Sequence, residues 1–255
     1  MLGAFEPKAK PWAVKGLPAD FEFDQLPEDF DHFEPILEAA VERMPMLAEA
    51  GIHTFFNGPE SFTPDDRYYL GEAPELRNYW VAAGYNSIGI VSSGGAGMAL
   101  AQWMEDGEPP FDLWSADIRR FGRPHFDTDW VRTRTVEAYG KHYTMAWPFE
   151  EHSSARPSRK SPLYDTLLAQ GACFGEKLGW ERPNWFADAA LDEAPQDVYS
   201  FGRQNWFAAT GREHAAARTS AVVIDQSSFA KFTLKGPDAE AALGWIAANN
   251  VARPV

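Results

Sequence analysis

The hydrophobic pattern of the N-terminal part predicts one helix followed by one strand. Apolar residues recur every three or four positions between Asp31 and Met44, which indicates a helix with one buried face. Asp31 and Glu34 are three positions apart, the spacing of a capping box. Gly51 interrupts the pattern, and residues 52–56, which include His53, then have the composition of a strand.

A strand, a glycine-rich stretch and a helix are predicted next. Residues 79–83 indicate a buried strand, after a possible short one at 68–70, and residues 84–97 contain five glycines and three serines. Glycine lets the backbone approach a ligand closely, and a helix start offers free N–H groups and a partial positive charge. The helix is expected to end near Gly107. The stretch predicts either a site for an anion or an electron-rich ring edge, or a tight turn that serves packing alone.

The remaining two thirds of the chain predict a second group of elements. The sequence-based prediction comprises a helix over 129–145, an exposed proline-marked linker over 151–160, a helix over 163–178 with Cys173 on its buried face, an aromatic turn over 180–186, one or two helical turns over 213–218, strands over 222–225 and 229–234, and a helix that starts at Gly236–Pro237. The linker is the expected position of a domain boundary.

Composition and charge restrict the class of protein. A hydrophobic fraction of 45% is that of a folded protein with a substantial core, and the formal charge of −14 argues against nucleic acid or an anionic membrane as partner. The single cysteine excludes an intramolecular disulfide. Neither an apolar run of about 18 residues nor a secretory signal is present, so the expected location is the cytoplasm.

Local motifs for catalysis are weak. The six histidines lack the helical spacing that metal sites use, so no metal is predicted. Ser87 lies in a GYNSIG motif, but a nucleophile elbow has one residue between its first glycine and the serine, and here there are two. Asp225 follows a predicted strand, where a carboxylate can cap a turn or serve a site.

The chain also contains two series of longer motifs. The first series is FEPKAKPW (5–12), LPED with DHFE (26–34), NGPESFTPD (57–65), LGEAP (70–74), AAGYNSIG (82–89) and SGGAG (93–97). The second is GWERP (179–183), Glu213-His with Arg218, DQSSFAK (225–231) and GPDA (236–239). The first resembles the FAD-dependent flavoproteins that demethylate sarcosine and dimethylglycine, and the second resembles the start of the aminomethyltransferase (glycine cleavage T-protein) module fused to them. Together they cover nearly the whole chain in the order of the family.

The resemblance implies a mixed α/β plus α+β fold with three parts. Residues 1–106 would be the C-terminal part of an FAD-dependent oxidoreductase domain, 107–160 a central connector, and 161–255 the N-terminal part of a folate-type aminomethyltransferase domain with an incomplete sheet. The family's G-x-G-x-x-G unit for the FAD pyrophosphate has no counterpart here. The chain therefore looks like an internal piece of a longer enzyme.

The resemblance also implies a reaction and a cofactor site. Such an enzyme removes a hydride from the N-methyl carbon of sarcosine, dimethylglycine or a related small amine, and the iminium product passes to water or to tetrahydrofolate. In the family the loop lies beside the flavin ring, and the helix start points at its N1–C2=O edge. The implied FAD contacts, mostly through backbone, are Ser87, Ile88, Gly89, Ile90, Val91 and Ser92.

Neither a catalytic base nor the electron acceptor is identified by these motifs. Related simple sarcosine oxidases have a lysine at about the position of Val91, so its absence favours a dehydrogenase. A different class remains open, a non-catalytic binding or interaction protein that reuses these folds and needs a partner to cover its incomplete core. A serine hydrolase that uses Ser87 is the third alternative.

Overall fold

The computed structural model describes residues 2–252 and combines helices with short strands. The helices are α1 (Phe30–Arg43), α2 (Gly89–Asp106), α3 (Thr128–Lys141), α4 (Tyr164–Ala169), α5 (Phe207–Thr219) and α6 (Ala239–Ala247). The strands are β1 (Tyr69–Glu72), β2 (Trp80–Ala83), β3 (Ala172–Lys177) and β4 (Trp180–Phe186). Short 3-10 helices span Pro45–Ala48, Ile118–Arg120, Arg123–Phe126 and Ala189–Leu191. The predicted mixture of helices and strands is confirmed.

The strands form two separate antiparallel pairs. β1 pairs with β2, with Leu70 opposite Ala82, and β3 pairs with β4, with Cys173 opposite Trp185. The segment after α2 joins the first pair, because the Leu70 N–H donates to the Ala116 carbonyl oxygen at 2.8 Å. β2 was predicted to be buried, but its first two residues are only half-buried and its last two are exposed.

The first hydrophobic core lies between α2 and β1. Leu70 of β1 packs with Ala96, Leu100 and Trp103 of α2, and Ala116 closes the cluster. The approach is close enough that a Cβ on residue 71 would lie 2.9 Å from the Trp103 ring, so a glycine is required there. The predicted helix is thus fixed on the sheet, and it ends as expected at Gly107, whose φ is 78°.

The second core lies where the β3–β4 hairpin meets α5. Cys173, Trp185 and Ala209 form its buried centre, and Trp206 packs against it. The Trp185 indole Nε1 donates to Asp197 Oδ1 at 2.7 Å. Burial, and then the neighbouring Asp197 carboxylate, raises the pKa of the Cys173 thiol to about 12. Cys173 is therefore a protonated core residue, as predicted, although it lies on a strand rather than on a helix.

The predictions for residues 163–186 are wrong in their secondary structure. Only 164–169 form a helix, because the chain reverses at Gly171, whose φ is 88°. The residues expected to continue that helix form β3, and the expected aromatic turn is β4. The hairpin turn between them consists of Leu178 and Gly179, which both have positive φ, as a type I′ turn needs.

Three predicted strands are not regular strands in the structure. Residues 52–56, 222–225 and 229–234 have no ladder hydrogen bonds, and Val223 and Phe232 are almost fully exposed. A strand is stable only beside a neighbouring strand, and within the described residues no strand pairs with these segments. The prediction of strands in these three segments is therefore wrong for this structure.

Helix boundaries differ from the prediction in several places. α3 ends at Lys141 rather than at residue 145, and α6 begins at Ala239 rather than at Gly236–Pro237. The N-cap of α1 is Asp29, whose carboxylate accepts from the His32 N–H at 3.0 Å, so the proposed capping box at Asp31 and Glu34 is wrong. The weak helical signal at 213–218 is part of the longer helix α5. The prediction places the start of α1 too late because the capping-box spacing indicates a start at Asp31, whereas the cap is Asp29.

The expected exposed linker at 151–160 is instead packed against the β3–β4 hairpin. Arg156 forms a salt bridge with the buried Glu181 at 2.6 Å. The Arg159 N–H donates to the Gly179 carbonyl oxygen at 2.9 Å, and the Glu181 N–H donates to the Arg159 carbonyl oxygen at 2.9 Å. The polar residues that suggested solvent exposure are therefore used in hydrogen bonds within the fold.

A half-buried carboxylate on α3 holds the beginning of this segment. Glu137 accepts hydrogen bonds from the backbone N–H groups of Ser153 and Ser154, both at 2.8 Å, and pairs with Lys141 at 2.9 Å. Burial alone would raise its pKa, but the nearby His152 ring and the hydrogen bonds from Ser154, Ser153 and Lys141 outweigh burial and hold the pKa far below 4.5.

We expect Glu137→Gln to reduce stability in a pH-dependent way. Because the folded state lowers this pKa, the carboxylate stabilises the fold fully above its ordinary value of 4.5, and the effect is lost as pH falls below that value. The variant should lose about 2 kcal/mol of unfolding free energy at neutral pH, and the difference from wild type should shrink in acid. Urea unfolding at several pH values measures both, with the exposed Glu108→Gln as the matched control. If the difference in unfolding free energy between wild type and Glu137→Gln does not change with pH, the ionised Glu137 carboxylate does not stabilise the fold.

The described residues have an unusually large surface. The accessible surface is 18862 Å², whereas a folded monomer of 28.5 kDa exposes roughly 11,000 Å². Large apolar side chains contribute to the excess in every part of the chain, and clear cases are Phe23, Ile90, Met145, Val223, Phe232 and Trp245. Exposed apolar surface of this extent is typical of regions that contact other protein segments.

Candidate functional site

The six predicted cofactor contacts lie together at the turn from β2 into α2. Ser87 precedes the helix, Ile88 is its N-cap and Gly89 its first residue. Ile90 and Val91 are 99% and 82% exposed. Ser92 is half-buried, and its N–H donates to the Ile88 carbonyl oxygen at 3.0 Å, which closes the first helical turn.

The start of α2 has no side-chain cap. The cap residue is Ile88, which has no polar side chain, and the Ser87 hydroxyl donates instead to Glu60 Oε1. The N–H groups of the first helical turn have no intrahelical acceptor, and an 18-residue helix concentrates a partial positive charge there. Donors and positive charge thus lie beside the exposed side chains of Ile90 and Val91, an arrangement that suits a flat ring with an electron-rich edge.

The helix begins earlier than the glycine pattern predicts. Gly94, Gly95 and Gly97 were expected in a loop but lie within α2, where a Cβ on any of them would meet nothing within 4 Å. Helical glycine costs about 1 kcal/mol relative to alanine, and the packing of α2 on β1 offsets this cost. These glycines leave the outer face of α2 flat, so that another chain segment can approach it closely.

Hydrogen bonds from an earlier loop position the turn, and the sequence reasoning missed the residues that make them. Thr63 and Asn86 are buried and bonded to each other, and Arg120 is buried beside them. An asparagine two residues before a helix cap was a usable signal, since asparagine adopts positive φ more readily than most residues. Its partner Thr63, 23 residues earlier, had no local signal.

The two weaker candidate sites have structural roles. The hydrogen bond of the Ser87 hydroxyl goes to Glu60, and no described histidine bonds to it, which leaves a serine hydrolase unsupported. Asp225 accepts from the Ser161 hydroxyl and from the Ser227 N–H at 2.9 Å. Those hydrogen bonds, from Ser161 first, lower the pKa of Asp225, which acts as a turn cap.

Residues 2–252 contain neither a cluster that could bind a metal nor a helix that could span a membrane. No group of three or more His, Cys, Asp or Glu side chains has the arrangement of a metal site there. No helix in this part of the chain combines the length and the apolar character that a membrane span requires.

Three family models match consecutive parts of the chain. Residues 1–103 match the FAD dependent oxidoreductase family, 106–161 the FAD dependent oxidoreductase central domain, and 163–255 the GCVT N-terminal domain. The turn and α2 start fall within the first match. The division into domains at residues 106 and 160 stays a prediction.

Curated relatives match over almost the whole chain. A 4-methylaminobutanoate oxidase (formaldehyde-forming) of Paenarthrobacter nicotinovorans is 43% identical over 239 residues, which are 94% of this chain and 29% of the relative. The mitochondrial sarcosine dehydrogenase of Mus musculus is 36% identical over 276 residues, 99% of this chain and 30% of the relative. The mitochondrial pyruvate dehydrogenase phosphatase regulatory subunit of Mus musculus is 38% identical over 258 residues, 100% of this chain and 29% of the relative.

The chain thus spans less than a third of the length of these relatives. The order of the three matched segments is that of the resemblance seen in the sequence motifs. The chain therefore carries FAD dependent oxidoreductase, central and GCVT segments in that order, and over almost its whole length it is similar to sarcosine and dimethylglycine dehydrogenases.

Proposed function

We propose that this chain is part of a longer FAD-dependent oxidoreductase that demethylates sarcosine, dimethylglycine or a related N-methyl amine. The observation that carries the proposal is the uncapped start of α2, which lies within the segment matched by the FAD dependent oxidoreductase family. FAD, when bound, supplies the acceptor for the hydride of the N-methyl carbon. The GCVT segment adds a folate-linked one-carbon transfer step to the proposal.

The residues present fit one part of this cofactor, the edge of its ring. The N–H groups from Gly89 to Val91 can donate hydrogen bonds to ring oxygen and nitrogen atoms. The side chains of Ile90 and Val91 are exposed and apolar, so they can cover the ring and exclude water. Donors and a helix dipole at this edge favour the negative charge that the reduced ring carries. Ser87 to Ser92 are therefore the proposed FAD contacts.

The exposed surface supports a longer protein rather than a dimer of this chain. The excess over the surface of a folded monomer of this mass is several thousand Å². A standard interface buries only about 800 Å² per partner. The rest of an enzyme about three times as long can cover such an area, as the matched share of the relatives suggests.

Substrate and location follow from the same proposal. Two of these relatives are named for small N-methyl amino acids, so the proposed substrate class is a small N-methyl amine. That neither nucleic acid nor a membrane is a partner stays a prediction from the formal charge of −14. The motifs leave the electron acceptor open. A cytoplasmic location stays a prediction from the sequence.

A non-catalytic protein is the second candidate, because one relative is named as a regulatory subunit. Such a protein would reuse the fold without oxidising an amine. Flavin content and amine-dependent flavin reduction of the full-length protein, meaning the longer polypeptide proposed here, distinguish the two. If the protein contains flavin, but sarcosine, dimethylglycine and 4-methylaminobutanoate all fail to reduce it, the non-catalytic candidate is favoured.

We expect the 255-residue chain alone to purify without colour and the full-length protein to carry flavin. The chain supplies only the ring-edge part of the site, and half a site gives too little binding energy to retain the cofactor through purification. Absorbance between 350 and 500 nm after gel filtration measures the flavin per chain. A stoichiometric flavin spectrum from the 255-residue chain would refute the proposal that it is a part of the site.

A further inference from the structure

Two buried polar side chains hold the turn that precedes α2. Thr63 and Asn86 are each 1% exposed. The Thr63 N–H donates to Asn86 Oδ1 at 2.8 Å, and Asn86 Nδ2 donates to Thr63 Oγ1 at 3.2 Å. The Asn86 N–H also donates to the Ser61 carbonyl oxygen at 3.2 Å. Backbone and side chain therefore both tie the turn to the earlier loop.

The backbone of this turn adopts a conformation that needs such support. Asn86 and Ser87 have φ values of 49° and 65°, in the left-handed region. This region is energetically unfavourable for a residue other than glycine. Since Ser87 directly precedes the cap Ile88, these two residues determine where the free N–H groups of α2 lie. Close packing adds a constraint, because a Cβ on Gly84 would be 2.6 Å from Thr63 Cγ2.

A buried arginine from the segment after α2 extends the network. Arg120 Nε and Nη2 donate to the two oxygens of Asp65, at 2.7 and 2.9 Å. Nη2 also donates at 2.6 Å to the Arg67 carbonyl oxygen, which accepts the Thr63 hydroxyl at 2.9 Å. Nη1 donates to two backbone carbonyl oxygens at 3.1 Å, so all five guanidinium N–H groups are used. The arginine and the turn thus share one continuous set of hydrogen bonds.

We propose that Thr63, Asn86 and Arg120 are positioning residues that hold the start of α2 at the edge of the flavin ring. The inference rests on the proposed function. Without this network, the strained turn relaxes and the N–H groups of α2 move from the place where reduction builds up negative charge. The network therefore sets how readily the flavin is reduced, although none of the three side chains touches the ring.

The primary test compares Thr63→Val and Asn86→Gly in the full-length protein. Valine keeps the shape of threonine without its hydroxyl, and glycine keeps the positive φ accessible without the amide. Both variants should lower the equilibrium constant for flavin reduction about five- to tenfold, the size of a helix-terminus effect. Potentiometric titration without substrate measures this constant, and the flavin absorption bands report the change in environment.

A matched pair of arginine variants separates positioning from general stability. Arg120→Lys and Arg134→Lys each replace a buried guanidinium group with an ammonium group. Arg134 is a suitable match because it is also buried and donates to the Ser154 carbonyl oxygen and to Glu176. Both changes should lower the melting temperature. Only Arg120→Lys should shift the flavin reduction equilibrium, since Arg134 has no link to the turn.

Hydrogen exchange tests the network on the 255-residue chain itself. The hydrogen-bonded amides of Asn86, Ile88 and Ser92 should exchange about tenfold faster in Thr63→Val than in wild type, and those of Ile88 and Ser92 likewise in Asn86→Gly. Unchanged exchange, or a flavin equilibrium that stays at the wild-type value in a destabilised variant, overturns the positioning role while the proposed function stands. A full-length wild type without flavin overturns both.

Discussion

Replacing Val91 with aspartate should slow flavin reduction by substrate about a hundredfold while it slightly stabilises the helix. Val91 is the third residue of α2 and is 82% exposed. A carboxylate there lies next to the free N–H groups and the positive end of the helix dipole, which is worth roughly 0.3–1 kcal/mol to the helix. The same charge repels the negative charge of the reduced ring, by up to about 4 kcal/mol at 4 Å and an effective dielectric constant of 20.

The opposite signs of these two effects make the test specific. Stopped-flow reduction of the full-length protein gives the rate, and thermal unfolding gives the stability. Val91→Asn keeps the size of aspartate without its charge and should reduce the rate far less, whereas Val91→Lys should favour the reduced flavin. Equal rates for the aspartate, asparagine and lysine variants would place the flavin edge away from α2.

The sequence predicted the helices that have clear local signals, namely helical periodicity or a terminal glycine. The helical periodicity of α1 and α3 and the terminal Gly107 of α2 are local features, and the structure has helices at these places. α2 nevertheless starts at Gly89, because the burial of Leu100 and Trp103 against β1 outweighs the low helix propensity of its glycines. Tertiary packing of this kind has no local sign in the sequence.

The hairpin was missed because its sequence argues against strands. β4 contains Pro183, which cannot donate to a ladder, and it lies opposite Phe174 beside the bulge in β3. A two-stranded sheet has free edges on both sides, so a proline is tolerated there. Conversely, residues 229–234 alternate between apolar and polar positions but have no neighbour strand within the described residues. Strand formation depends on partners that a single segment does not reveal.

The candidate site was located in part from the motifs and in part only by the structure. The resemblance assigned Ser87 to Ser92, and the structure places those six residues at one helix start. The supporting bonds were beyond sequence reasoning, since Thr63 and Arg120 lie far from Asn86 in the chain and nothing in their neighbours marks them. The positive φ of two successive residues likewise follows from that tertiary network.

Removing Trp185 should cause the largest loss of stability in the chain. Its side chain is 2% exposed and packs against Cys173 and Ala209, and its indole donates to Asp197. Trp185→Ala should lower the unfolding free energy by about 3–5 kcal/mol, because it leaves a large cavity and an Asp197 carboxylate without its donor. Trp185→Phe keeps most of the packing and should lose about half as much. Chemical denaturation followed by fluorescence measures both variants.

Trp245→Ala is the matched control for Trp185→Ala. It also tests whether the rest of the longer protein covers α6. Trp245 lies on α6 and is 88% exposed, so its removal should change the stability of the 255-residue chain by less than about 0.5 kcal/mol. In the full-length protein the same change should cost at least about 2 kcal/mol, because the rest of the folate-type domain is proposed to bury the exposed face of α6. If Trp245 is equally dispensable in both proteins, α6 faces solvent in the longer enzyme as well. The excess apolar surface would then need a separate partner, as the non-catalytic candidate requires.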